Sequence, residues 1–469
     1  MRRRSTRPRG LSSLVTLALT GVAATTAVVP AHAVTVPCDT AALITAINNA
    51  NLNVDTVIDL EPYCLYEVTA PYMAGADDGL PPITNTNGVT INGRNATIKR
   101  VGSSSFRLFE VGTSPVVTGN LTLNDLTVMN GQPSGAVGGG GVLVNNNSTF
   151  AGTNVTLQGG TANIGGGIRF RGGTTGTLTD SRVSDNRTTG GASTAGGVQS
   201  EGQLTLLNTH ITSNRSRVGG GIGHGAGTLT ISGGSVKHNT AFDNGGGIFS
   251  DNSNNVLNVT GTAVTDNRVA TGGLGIGNGG GVFIGLGGTQ TFTNSTIEGN
   301  TVTVQTVDDG GGGIYSLGGT VTLDNTKVRG NKLIGEAGYG AGINAQGGVV
   351  NLMNASDVTG NLASGRYSRG GGIYTANLIG TAPAVTVDNS AIDRNKVSGT
   401  GSRGAGIYNA AGTYALSDAS VQFNVAPDAP APGGIWTSTA ITSVTTTTIA
   451  NNTPTNCLYS PAAVTSCVG

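Results

Sequence analysis

Two short marks alternate along this chain and fix its length scale. A glycine cluster runs directly into Val or Ile eleven times: GGGGV ending at Val142, GGGI at Ile168, AGGV at Val198, GGGI at Ile222 and Ile248, GGGV at Val282, GGGI at Ile314, GAGI at Ile343, GGGI at Ile373, GAGI at Ile407 and GGI at Ile435. Ten times a Val or Ile is followed three places later by asparagine, at Asn186, Asn214, Asn239, Asn267, Asn300, Asn331, Asn361, Asn395, Asn424 and Asn452. The asparagine intervals run from 25 residues (Asn214 to Asn239) to 34 (Asn361 to Asn395). A drifting period near thirty with two fixed marks per cycle is the pattern of a stacked solenoid, in which each unit buries its apolar face only against its neighbours.

Each cycle contains three short extended stretches. Around Asn331, GGGIYS would turn Ile314 inward, VTLDN would turn Val321 and Leu323 inward, and TKVRGN would turn Val328 inward. Alternation of period two marks strands with one buried face, and the density of Gly and β-branched residues excludes helix. The expected fold is all-β: a single-stranded right-handed parallel β-helix of about thirteen coils, stacked at about 4.8 Å per coil. Glycine is expected at corners where the backbone needs positive φ or close approach. Each asparagine is expected at the following corner, in a left-handed conformation, with its amide bonded to the next coil in a ladder.

The chain divides accordingly. Arg2, Arg3, Arg4, Arg7 and Arg9 precede an apolar run from Leu11 to Val29, and Ala31-His32-Ala33 offers the small residues a signal peptidase needs. Residues 1–33 therefore read as a signal peptide for the general secretion route, 34–83 as an N-terminal cap, 84–452 as the β-helix and 453–469 as a C-terminal cap. In the N-terminal cap, Asp39 or Thr40 can start a short amphipathic helix carrying Leu43, Ile44 and Ile47. Cys38, Cys64, Cys457 and Cys467 allow three pairings. The local one, Cys38 with Cys64 and Cys457 with Cys467, is expected in an oxidising compartment because it staples each end where fraying is worst.

Losing five leader arginines takes Lys+Arg from 25 to 20 against 25 Asp+Glu, about −5 for the mature chain. Nucleic acid is thereby excluded as a partner, since phosphate binding needs a basic surface. No later segment is long and apolar enough to cross a bilayer as a helix. There is no CxxC, and the histidines lie far from the cysteines, so neither a metal nor another cofactor is expected.

The unit of GGGI, strand and Ile-x-x-Asn resembles the repeat of the polymorphic outer-membrane protein family, whose units carry GGA[ILV] and FxxN, over roughly residues 138 to 452. VTINGRNATIKR, FRLFEV and LTLNDLTVMNG are similar to the first coils of pectin-lyase-like β-helix proteins, and the stretch from Cys38 to Cys64 to the capped start of secreted bacterial members. This resemblance implies the fold and an extracellular or cell-surface role in adhesion. It does not imply an outer-membrane anchor, because Val or Ile stands in place of the family's Phe and the chain ends at Gly469 with no translocator barrel. Glycosidases of the pectin-lyase-like fold carry NTD, DD, GHG and RIK in that order. Here Gly223-His224-Gly225 precedes Asp308-Asp309 by 84 residues from His224 to Asp308, and NTD and RIK are absent. A solvated turn is the plainer account of the aspartates. No coil collects the aspartates of a calcium-dependent lyase, and GGLGIGN at Gly272 has Gly where a calcium nonapeptide needs Asp. A polysaccharide lyase or glycoside hydrolase is the alternative reading, and a structural spacer the third.

Counting from the glycine marks, the residue after each inward Val or Ile should face outward. From Ile248 onward these are Phe249, Phe283, Tyr315, Asn344, Tyr374, Tyr408 and Trp436, whereas earlier coils offer Leu143, Arg169, Gln199 and Gly223. Six aromatics in seven coils, from a chain with 20 in all (Tyr 10, Phe 9, Trp 1), form an expected exposed strip. It would either bind a polysaccharide or a cell-surface protein, or stabilise the sheet by stacking and by lying beneath loops. Thr122, Thr156, Thr205, Thr230, Thr322 and Thr386 form a weaker expected column. Arg187, Arg215, Arg268, Lys332 and Lys396, each directly after a ladder asparagine, suggest an anionic polymer, while Asp185 and Asp266 nearby favour a mixed solvated edge.

Overall fold

A computed structural model describes residues 33–469 except 114–115, 136, 192–193, 271–276, 305–309 and 428–430. The leader through residue 32, Asp308-Asp309 and most of the GGLGIGN segment lie outside these described residues. The chain is a parallel β-solenoid of about thirteen turns with one short helix near its N-terminus. Its strands form three parallel sheets of 26, 12 and 9 strands, so the rod is about 60 Å long at the usual strand spacing.

A single coil shows how the sequence makes this shape. Ile314–Ser316 follows the glycine cluster and joins the twelve-stranded sheet. Thr320–Asp324 and Lys327–Arg329 are two successive rows of the large sheet. Ile314, Val321, Leu323 and Val328 all point into the core and are fully buried. Three stretches were expected, but four are present: Lys332–Gly335, directly after the ladder asparagine, belongs to the nine-stranded sheet. Its short inward residues, Val269, Val302, Leu333 and Val397 among them, form a second small core against Ala341 and Ala405. This fourth strand has one inward position per coil, too few for period two to be seen in sequence.

The two sequence marks meet in space. At Gly247 an added Cβ would lie 2.7 Å from the Gly281 carbonyl of the next coil and 2.9 Å from Nδ2 of Asn267, at the far end of its own coil. Contacts that short leave room only for glycine. The ten asparagines are buried and point inward. Asn331 illustrates the pattern: its Oδ1 accepts from both N and Nδ2 of Asn300 (3.0 Å each), and its Nδ2 donates to Ile297 O (2.9 Å) and to Oδ1 of Asn361 (3.0 Å). The same bonds run from Asn186 to Asn452, and Asn456 accepts the last pair. The left-handed residue was expected to be asparagine itself. It is instead the residue before, such as Asp185 (φ 57), Asp266 (φ 53) or Arg394 (φ 56), because the asparagine must keep an extended backbone to send its amide inward.

A further bend, not anticipated from the sequence, divides the large sheet into its two rows. It is made by another left-handed position, such as Asn294 (φ 49), Asn325 (φ 46) and Asn389 (φ 44), each followed by a buried hydroxyl residue. Thr326 Oγ1 donates to Phe292 O (2.9 Å), and Ser356 Oγ donates to Leu323 O (2.9 Å) while accepting from Thr326 N (3.0 Å). The Asn-Ser and Asn-Thr pairs were the available signal. The threonine column is corrected in one place: Thr205, Thr230 and Thr322 share a row, but Thr156 pairs with Arg182 in the following row.

At the ends, helix Thr40–Asn51 is capped by Asp39, which accepts from Ala42 N (2.9 Å), and buries Leu43, Ala46, Ile47 and Ala50 over the first coil. The disulfides join Cys38 to Cys64 and Cys457 to Cys467.

Removing one rung in mid-ladder should strand the two Asn300 donors and the Ile297 carbonyl in a dry core, at about 1–3 kcal/mol for each buried orphan. Asn331→Ala is expected to lower unfolding free energy in urea titrations by roughly 4 kcal/mol. Asn452→Ala, beside the part-exposed Asn456 where water can substitute, should cost less than half as much.

Candidate ligand-binding face

The register of the twelve-stranded sheet sets one outward residue of each coil in a single column: Glu110, Leu143, Arg169, Gln199 and Gly223, then Phe249, Phe283, Tyr315, Asn344, Tyr374, Tyr408 and Trp436. The sheet therefore presents a polar half and an aromatic half on one face.

The six rings are brought together as the register requires, but they are not an exposed strip. Phe283, Tyr315, Tyr374 and Tyr408 retain only 6%, 3%, 6% and 4% of their accessible surface, and Phe249 and Trp436 are half-buried. The cause is ring-on-ring stacking at the coil spacing. Phe249, Phe283 and Tyr315 stack with centroids 5.0 and 5.4 Å apart and planes within 11° of parallel. Tyr374, Tyr408 and Trp436 form a second stack at 5.5 and 4.1 Å. Faces turned on one another are removed from water, so each ring offers mainly its edge.

The column breaks at Asn344, which is buried and donates through Nδ2 to Tyr339 O (3.1 Å) while its Oδ1 accepts from Gln346 Nε2 (2.7 Å). Tyr339, four residues after the fourth strand, caps the second stack 4.8 Å from Tyr374. Sequence reasoning missed it because it comes before the glycine mark rather than after. The break leaves a cavity of about 140 Å³ bounded by Tyr315, Tyr339, Gln346, Tyr374, Ala376, Asn377 and Leu378. The loop after Thr375 forms its outer wall and reaches back across earlier coils: a methyl at Gly347 would lie 2.7 Å from Ile379 Cδ1. Arg369 sets its guanidinium 5.6 Å from the Tyr339 ring centroid and 5.0 Å from that of Tyr408, a cation against π-faces. Burial pushes the Tyr374 hydroxyl up to about 12, against the pull of Arg369, so it stays a neutral donor at any physiological pH.

The polar half holds a charge cluster that the sequence did not announce. Arg107, buried, meets Asp78 (2.8 Å), Asp77 (3.3 Å) and Glu110 (3.6 Å), and Asn145 Nδ2 donates to Glu110 Oε1 (2.6 Å). Burial raises the Asp78 carboxyl well above the usual range, with Arg107 opposing and Glu110 adding to the rise. Asp77 is occupied by Ser134 and the Gly135 N–H. These bonds tie the insertion around residues 132–135 to the first coils. No group of three or more His, Cys, Asp or Glu able to hold a metal occurs among the described residues.

His224 belongs to neither half. It points into the solenoid, fully buried, with Nδ1 3.1 Å from Ser250 Oγ and Nε2 3.2 Å from Gly227 O. Those partners imply a neutral ring protonated at Nε2, since a carbonyl can only accept. Its side chain is buried on the face of the sheet opposite the outward column.

No family model matches this chain, and no curated protein does, so nothing in those comparisons supports the likeness to polymorphic outer-membrane repeats. Among solved structures, the A-module of the mannuronan C-5 epimerase AlgE6 from Azotobacter vinelandii matches at 15% identity with a TM-score of 0.28, covering 90% of this chain and 94% of that one. At that score the likeness carries no argument about function.

Burial lowers the His224 pKa from 6.5 to about 4, outweighing the bonds to Gly227 and Ala226 that favour the charged ring. Above pH 6.5 both folded and unfolded chains hold it neutral, so its stabilising effect is complete. Between pH 6.5 and 4 only the unfolded chain takes up the proton, and stability should fall by about 3 kcal/mol across that window. Urea midpoints measured from pH 7.5 to 4 should decline more shallowly in His224→Gln than in the native chain.

Proposed function

We propose that this protein is a non-catalytic carbohydrate-binding β-solenoid, exported from the cell and acting in adhesion, and that it seats one sugar ring in the gap at Asn344. The cavity between the two aromatic stacks is the observation that carries this reading. Its volume of about 140 Å³ suits a single six-membered ring, since an apolar cavity of about 150 Å³ holds benzene. A saccharide also needs polar partners around an apolar surface, and this cavity combines the Tyr315, Tyr339 and Tyr374 rings with the amides of Gln346 and Asn377. Arg369 beside the stack supplies donors for hydroxyl or acid groups at the rim.

Export is supported by the leader pattern in residues 1–33 and by two disulfides, which persist in oxidising compartments. No helix among the described residues is long and apolar enough to cross a membrane.

The test is a glycan array probed with the mature chain and with Gln346→Ala/Asn377→Ala. Asn377 is exposed, whereas Gln346 also gives its Nε2 to the buried Asn344 Oδ1, so the double variant should stay folded with a thermal midpoint a few degrees lower, while affinity for the retained glycan falls ten- to a hundredfold, the loss of two hydrogen bonds. An array with no bound glycan, or a double variant that binds as the native chain does, removes the reading.

A further inference from the structure

A second, separate surface stands on the nine-stranded sheet. Its pairing puts Thr161, Arg187, Arg215, Thr240, Arg268, Thr301, Lys332, Leu362 and Lys396 in one outward column. All five cations are exposed, and the threonines at 240 and 301 and Leu362 are half-buried between them. From Arg215 onward the cations occur at every second coil, a repeat of about 9.6 Å sustained over about 29 Å.

These side chains are not spent on internal ion pairs: none of the five belongs to a salt bridge among the described residues. Two are held in place by uncharged partners, Arg187 Nε by Thr161 Oγ1 (3.2 Å) and Arg215 by the Phe242 ring (4.5 Å to the centroid). The corner column beside them contributes Arg394 against Asp185 and Asp266, so six cations face two carboxylates. His238 is also exposed on this corner. The strip is positive although the mature chain as a whole is acidic.

We propose that this column binds a linear anionic polysaccharide lying along the rod axis, with one acidic group for each disaccharide repeat. The spacing selects the partner. Each strand of a DNA duplex advances only about 3.4 Å along the axis per phosphate, and an extended acidic peptide presents same-face carboxylates about 6.6 Å apart, so neither repeats at every second coil. A glycan with one uronic acid in each disaccharide carries its charges at close to the two-coil interval. The intervening half-buried Thr240, Thr301 and Leu362 leave a low surface for the uncharged sugar between two acids. Exposed ion pairs are individually weak, so binding depends on several in register and falls with added salt.

The experiment measures binding of the mature chain to size-fractionated hyaluronan, which has this charge pattern, and to dextran, polygalacturonate and single-stranded DNA, in 20 mM and 500 mM salt, roughly 20 and 4 Å of screening length. Hyaluronan is expected to bind most tightly, with affinity rising with chain length until about four disaccharides span Arg215 to Lys396, and to release at high salt. The variant Arg215→Gln/Arg268→Gln/Lys332→Gln/Lys396→Gln should lose at least tenfold with an unchanged far-ultraviolet spectrum. The exchange Thr301→Lys/Lys332→Thr keeps net charge but breaks the pitch, and should also weaken binding. The proposal is overturned if hyaluronan binds no better than dextran, if DNA binds more tightly than hyaluronan, or if either variant binds as the native chain does. Gln346→Ala/Asn377→Ala leaves this surface intact, so failure here and failure of the cavity reading are told apart.

Discussion

The contact between a glycine and an asparagine of the same coil governs everything else in this molecule. An asparagine amide turned into a dry interior is tolerable only with every donor and acceptor satisfied, and stacking identical coils supplies the partners. The amide in turn occupies the space where a Cβ would be, which is why the third glycine of the cluster persists where the second varies to alanine at Ala341 and Ala405. Because this meeting recurs in coil after coil, insertions of different length can be absorbed in loops without altering the register of the sheets. That explains how intervals from 25 to 34 residues coexist with unbroken rows.

Much of this was legible before any coordinates. Inward Ile314, Val321, Leu323 and Val328 follow from alternation alone, and the helix over the N-terminal mouth follows from Asp39 and its apolar spacing. What escaped were features whose signal is one residue per coil. The bend at Asn325 turns on a single left-handed residue, marked in sequence only by the Asn-Thr pair it begins. The fourth strand buries one small side chain per turn, too little to register as a pattern. For the candidate site, sequence gave the identity and alignment of the six aromatics but not their exposure. Rings spaced by strand pairing are close enough to cover one another, and whether they do so depends on rotamers that no period reveals.

The same coil thus carries two very different surfaces on adjacent sides. Along the aromatic half of the twelve-stranded sheet, neighbouring coils bear the same kind of group and the side chains close on themselves, leaving a cavity where the series is interrupted at Asn344. On the nine-stranded sheet from Arg215 onward, cationic and uncharged residues alternate, like charges are kept about two coils apart, and the cationic side chains remain open to solvent. A repeat protein can therefore diversify by changing which positions repeat and which do not, without altering its core.

The asparagine ladder is also directional. Every rung gives its backbone N–H and one amide N–H to the asparagine that follows and its other amide N–H to a carbonyl of the coil before; the first Oδ1 is reached by a lone donor, Gly160 N, and the last rung needs an acceptor, supplied by Asn456. Buried carbonyl oxygens tolerate a missing partner better than buried N–H groups do. The rod is therefore unequal end to end. Loss of coils from its start would bare one amide donor and leave an oxygen short of bonds, whereas loss from its finish would bare a pair of donors, at the end where Cys457 and Cys467 are joined.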